Sequence, residues 1–197
     1  MNKRIKRKPW YGYLWIWSII YFSLGFFNIL FAWLGMIEFV LPLLFAIFGG
    51  NKWFCNNMCG RGQLFWLLGR NLKCSRQKPA PAWLSSKWFR YGFLAFFLTM
   101  FGNMLFQTYL VFSGANTLQK TIKLFWTFKI PWHWAYHGSI FPDWVAKFSF
   151  GLYGLMLTSA LIGLIVMVLY KERTWCSFCP MGTMTQSICK LKNRSGS

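Results

Sequence analysis

At 197 residues the chain has mass for one domain, and at 56% hydrophobic, 22% aromatic and 13% charged it is too apolar for intrinsic disorder. Its 22 Lys and Arg outnumber three acids, Glu38, Asp143 and Glu172, for a net charge of +19. In a soluble chain that excess would point to nucleic acid. Here the bases punctuate long uncharged runs, which exclude a small secreted disulfide scaffold and point to a membrane protein with no nucleic-acid partner.

The first uncharged run extends from Trp10 to Ile37. It is long enough to cross a bilayer, and the apolar sequence resumes directly after Gly35, unlike a cleaved signal peptide. A retained span is expected over residues 11–34. The next segment, 37–50, is short and carries Glu38 and Pro42. It is expected to be tilted, kinked or partly inserted. The third span is expected over 91–113 and the fourth over 148–170, both uncharged throughout. Gly151, Gly154, Ser159, Ala160 and Gly163 in the fourth suit close helix packing.

Residues 51–90, a connection, and 171–197, the C-terminal tail, form two segments rich in cysteine and base. The stretch from Gly114 to Lys147 is instead rich in aromatics, including Trp126, Trp132, Trp134 and Trp144. Leu118, Ile122, Phe125 and Trp126 recur at helical spacing, which suggests a segment lying along the membrane interface as an aromatic belt. Four spans leave all but four bases (Lys120, Lys123, Lys129, Lys147) on one side. The positive-inside rule makes that side, with both termini, cytoplasmic.

All six cysteines fall on that side: Cys55, Cys59, Cys74, Cys176, Cys179 and Cys189. A reducing compartment argues against structural disulfides and for metal or cluster ligation. Two stretches resemble each other: Lys52-Trp-Phe-Cys55-Asn-Asn-Met-Cys59-Gly-Arg-Gly62 and Arg173-Thr-Trp-Cys176-Ser-Phe-Cys179-Pro-Met-Gly182. They read as a degenerate repeat, a helical hairpin ending in a Cys-pair turn, used twice. Four converging thiolates suit a [4Fe–4S] cluster, in which each iron takes one Cys sulfur. The glycines permit tight turns that aim N–H groups at sulfur, and Arg61 would offset the cluster's negative charge. The same four thiols could instead tie a tetrahedral zinc knot. A thiol–disulfide enzyme exchanging electrons with quinone is a third reading, opposed by the side on which the cysteines lie. Cys74 and Cys189 read as spare juxtamembrane thiols.

The two motifs, and above all the run Arg173-Thr-Trp-Cys176-Ser-Phe-Cys179-Pro-Met-Gly-Thr183, resemble the membrane-bound 4Fe-4S binding protein family, related to the membrane ferredoxin-like modules of NapH and NosR. The resemblance implies a bacterial inner-membrane protein that passes electrons, often between quinone and other redox proteins. It carries the ligand role to Cys55, Cys59, Cys176 and Cys179. Many relatives have Cys-Pro in the first motif, where this chain has Cys59-Gly60.

Other polar candidates are weaker. His133 and His137 stand four apart but outside every expected span, and read as exposed interfacial histidines. Glu38 and Asp143 read as helix-end residues facing water. No nucleotide loop and no nucleophile–base pair is present. The expectation is one all-α membrane domain over 1–197, built as two transmembrane hairpins, each followed by a cytoplasmic Cys-pair turn. Its catalytic residues are none, its cofactor is a [4Fe–4S] cluster, and its partners are the bilayer and redox proteins.

Overall fold

The computed structural model describes residues 10–49, 53–119, 121–124, 128–136 and 141–195. A 3-10 turn, Trp10–Tyr13, leads into helix α1, Trp15–Phe27. Asn28 then leaves the helix at φ −142° and ψ 115°. Its Oδ1 accepts the Leu30 N–H at 3.0 Å and so caps a second 3-10 turn, Ile29–Trp33, which runs on into α2, Leu34–Gly49. The expected span over 11–34 is therefore broken at Asn28, and the segment expected to be short over 37–50 is lengthened at its start. An Asn side chain can satisfy the first orphan N–H groups of a helix, so a reversal here costs little.

Contacts at the two ends fix the direction of these helices. The start of α1 lies against Gly60, while Phe26 near its end packs on Trp132 and Trp134. Trp33 meets Phe148 before α2, and the carbonyls of Ile47 and Phe48 at the other end of α2 accept Lys192 Nζ at 2.8 and 2.9 Å. Thus α1 and α2 run antiparallel. Gly35 is no turn; a Cβ there would come within 2.7 Å of the Tyr21 hydroxyl, so the glycine lets the two helices approach.

Two short helices follow, α3 (Trp53–Asn57) and α4 (Gly60–Trp66), the latter extended by a π turn, Leu67–Asn71. Helix α5, Lys87–Phe112, starts at Ser86, whose Oγ accepts the Phe89 N–H at 3.2 Å. Helix α6 spans Asp143–Leu169, with Asp143 suited to the positive end of its dipole. The chain closes with α7, Trp175–Phe178, and α8, Pro180–Ser195. Among the described residues three runs are long and apolar enough to cross a membrane: Ile29–Gly49, Lys87–Phe112 and Asp143–Leu169. With 13 residues, α1 is shorter.

The expectation of an all-α fold fails between α5 and α6. There β1 (Thr121–Leu124) and β2 (Phe128–Pro131) form an antiparallel pair with Ile122 opposite Ile130 and Lys123 opposite Lys129. The helical spacing of Leu118 and Ile122 misled because Ile122 also belongs to a two-residue alternation, Thr-Ile-Lys-Leu, that suits a half-buried strand. Ile122 is wholly buried against Gly154 of α6. Phe125 and Trp126 lie outside the described residues.

Helix α6 is the centre of the packing. Gly151 receives the Met104 side chain of α5, Gly154 receives β1, and Gly163 receives Phe65 of α4. The helices after the two cysteine turns cross over: α4 packs on α1 and α6, and α8 packs on α2 and α5. Each turn is thereby pinned by elements from the other half of the chain.

Candidate metal centre

After each long helix that precedes a cysteine pair, a separate short helical turn carries the first cysteine. Cys55 sits within α3 and Cys176 within α7. The second cysteine in each case is extended and stands just ahead of the next helix: Cys59 at φ −65°, ψ 107° before α4, and Cys179 at φ −49°, ψ 130° before α8. The Gln63 and Thr183 N–H groups bond to the Cys59 and Cys179 carbonyls at 3.0 and 2.9 Å. The repeat read from the sequence is thus a repeat of backbone shape.

Pro180 suits the first turn of α8, where an N–H has no partner in the helix. At the equivalent place α4 has Gly60, with the same extended cysteine before it. A Cβ on Gly60 would fall 2.7 Å from the Leu14 carbonyl oxygen and 2.6 Å from Ser18 Oγ. The departure from Cys-Pro therefore reflects the closeness of α1, not a different turn.

Cys55, Cys59, Cys176 and Cys179 all line one cavity of about 260 Å³, closed on other sides by residues of α1, α2, α5 and α6. Gly62 forms a cradle between the two motifs, since a Cβ there would lie 3.6 Å from Cys176 Sγ and 3.7 Å from Cys59 Sγ. The Gly62 N–H also donates to the Cys59 sulfur. Cys55 Sγ lies 3.7 Å from Thr185 Oγ1, a pair in which either group can donate. Trp175 and Phe178 are buried beside the second pair, where they meet Phe93 of α5 edge to face. Phe54 stacks on Phe45 beside the first.

Arg61 brings a positive charge to the same cavity. Its Nη1 donates to Ser159 Oγ at 2.7 Å, and its Nη2 reaches Met156 Sδ at 3.0 Å and Glu38 Oε2 at 3.2 Å. One guanidinium therefore ties α4 to both α2 and α6. Glu38 is not a helix-end residue facing water, as expected, but the partner of this cation inside α2. A lone acid in an apolar run was the available signal for it. In the sequence Ser159 signals only close packing, and Thr185 carries no signal.

Burial first, and then the neighbouring Cys179, push the Cys59 thiol up to about 11. Burial followed by Cys59 and Cys179 pushes Cys176 up to about 12, although part of that residue still reaches solvent. Raised values favour the protonated thiols at neutral pH, so loading a metal centre here must displace protons.

The remaining candidates lie elsewhere. Cys74 is exposed, with Sγ 3.6 Å from the Leu72 carbonyl oxygen, and Cys189 is buried in α8. Neither lines the cavity. His133 is exposed in a 3-10 turn, and His137 lies outside the described residues. Asp143 is exposed at the start of α6, as expected. Among the described residues no three Cys, His, Asp or Glu side chains close on a single ion. The thiols surround a space instead, and this fits a polynuclear cluster with one thiolate per iron better than a zinc knot.

Four thiols around a cavity, a backbone N–H on sulfur and an adjacent cation define an iron–sulfur protein built on apolar helices. The family model for the 4Fe-4S binding domain matches residues 31–90 and 153–196, more than half of the chain and both cysteine motifs. The chain belongs to this 4Fe-4S binding domain family, and its cofactor is a [4Fe–4S] cluster. No characterised protein and no solved structure matched it significantly.

Proposed function

We propose that Cys55, Cys59, Cys176 and Cys179 hold the [4Fe–4S] cluster. The chain would relay electrons at the cytoplasmic face of a bacterial inner membrane, between a quinone or other membrane redox partner and a second protein. The observation that carries this reading is the single cavity shared by both cysteine pairs. When bound, the cluster supplies one-electron redox chemistry. The four thiolates anchor it, the Gly62 N–H donates to the Cys59 sulfur, and Arg61 balances negative charge from the side of α2 and α6. Trp175 and Phe178 keep water from the second turn.

Four crossings complete the reading. The 3-10 turn at Trp10–Tyr13 lengthens α1, so that the Trp10–Phe27 segment reaches about 28 Å, close to the thickness of a hydrocarbon core. It pairs with Ile29–Gly49 as one hairpin, and α5 with α6 forms the other. The cysteine end of the bundle then coincides with the base-rich, cytoplasmic side.

The test is anaerobic purification followed by iron and sulfide analysis and EPR of the reduced protein. Wild type and Cys74→Ala should both carry about four iron and four sulfide per chain. Cys55→Ala should lose the reducible signal. Stoichiometric zinc, or loss of the cluster in Cys74→Ala but not Cys55→Ala, would overturn the assignment.

A further inference from the structure

At the end of the bundle away from the cysteines, a second and smaller pocket of about 60 Å³ opens between α5, β1 and α6. Its polar residues come at the spacing each element dictates. Asn103 and Gln107 stand one helical turn apart on α5, Thr121 and Lys123 alternate onto one face of β1, and Lys147 projects from α6. Lys147 lies twelve residues before Ser159, the partner of Arg61, or roughly 18 Å along the helix. This pocket is therefore separate from the metal centre.

Its charge is uncompensated. Two lysines share a small space, and among the described residues neither forms an ion pair, Asp143 one turn before Lys147 included. No acid lines the pocket. Thr121 Oγ1 is buried there without a hydrogen-bond partner, as are the Ser18 and Tyr21 hydroxyls elsewhere, whereas buried hydroxyls in proteins are generally paired. Side-chain amides at Asn103 and Gln107 add further donors. Two cations, one orphaned hydroxyl and two amides around a space of this size are a complement to one compact oxyanion.

We propose that this pocket binds a phosphate group, supplied either by an anionic phospholipid headgroup of the leaflet opposite the cysteines or by free phosphate. Lys123 and Lys147 are its charge partners and Thr121 donates to a phosphate oxygen. Binding relieves the repulsion between the lysines and fastens the β hairpin to α5 and α6.

The test uses the full chain in neutral detergent. Native mass spectrometry after adding phosphatidylglycerol or phosphatidylcholine measures lipid retention, and thermal unfolding with and without inorganic phosphate measures the free anion. Phosphatidylglycerol should be retained over phosphatidylcholine, and Lys147→Gln should weaken retention about tenfold, the loss of one charge-assisted contact. Thr121→Val guards against a variant that merely unfolds: it should weaken retention while leaving the protein alone as stable as wild type or more so, because it removes an orphaned hydroxyl. A stabilising effect of inorganic phosphate that Lys147→Gln abolishes assigns the site to the free anion. Lipid retention with no effect of phosphate assigns it to the headgroup. Equal retention of both lipids with no response to phosphate, or binding indifferent to Lys147→Gln and Thr121→Val, overturns the proposal.

Discussion

Arg61 and Glu38 retain 15% and 17% of their side-chain exposure, so water only partly screens the pair. Removing one partner of a buried pair strands the other, at a cost of about 3–5 kcal/mol when burial is complete and less here. The two residues also act oppositely on a cluster in the adjoining cavity. A nearby cation favours the more negative, reduced state, whereas a nearby anion disfavours it. Glu38→Gln should therefore raise the reduction potential, and Arg61→Gln should lower it. The double variant should fall between them, since each change offsets the other. EPR-monitored redox titration measures all three, with iron content as the check that the cluster is still present. Identical potentials in loaded variants would leave the pair a purely structural tie between α2, α4 and α6.

At the scale of elements, glycine separates the two cysteine turns. Gly60 faces the backbone of α1, where a Cβ 2.7 Å from the Leu14 oxygen cannot be relieved by a side-chain rotation. Gly182, two residues beyond Pro180, would place its Cβ 3.6 Å from the Cys176 oxygen, an ordinary contact. Gly60→Ala should cost about 1–3 kcal/mol by overpacking and lower the iron-to-protein ratio as Cys59 shifts. Gly182→Ala should be close to neutral on both counts. Thermal unfolding and iron analysis on the pair would decide, and equal effects would refute the role given to α1. This asymmetry was invisible in the sequence, because Cys59-Gly60 signals only that proline is absent, not what lies against it. Asn28 is the opposite case. A capping residue inside an apolar run is legible, but the unbroken hydrophobicity on either side outweighs it and moves the expected boundary to between residues 34 and 37. For the β hairpin, Ile122 satisfied both the helical and the strand period, and only its burial against Gly154 separates the two.

Across the whole molecule, the metal centre was more legible than the path of the chain around it. The two Cys-pair runs look alike because each performs the same step, a helical turn followed by an extended cysteine and a new helix. What the runs could not reveal was the exchange that brings them together, with α4 held by α1 and α6 and α8 by α2 and α5. Such long-range packing leaves no local period. The charge distribution, in turn, puts the cysteine turns on the base-rich side with either three or four crossings, and α1 decides whether the N-terminus shares that side. If the Trp10–Phe27 segment crosses, the N-terminus shares the cysteine side; if it lies along the surface, the N-terminus is on the other. Three cysteine reporters separate these arrangements. A membrane-impermeant maleimide applied to spheroplasts should miss exposed Cys74 and, in a Cys74→Ser background, should label Asn116→Cys but miss Asn2→Cys. In inverted vesicles Cys74 and Asn2→Cys should each add label above the Cys74→Ser background, and Asn116→Cys should add none. Labelling of Asn2→Cys together with Asn116→Cys in spheroplasts would reduce the crossings to three and overturn the antiparallel pairing of α1 with α2. Labelling of Cys74 there would place the metal centre on the outer face and remove the cytoplasmic electron relay altogether.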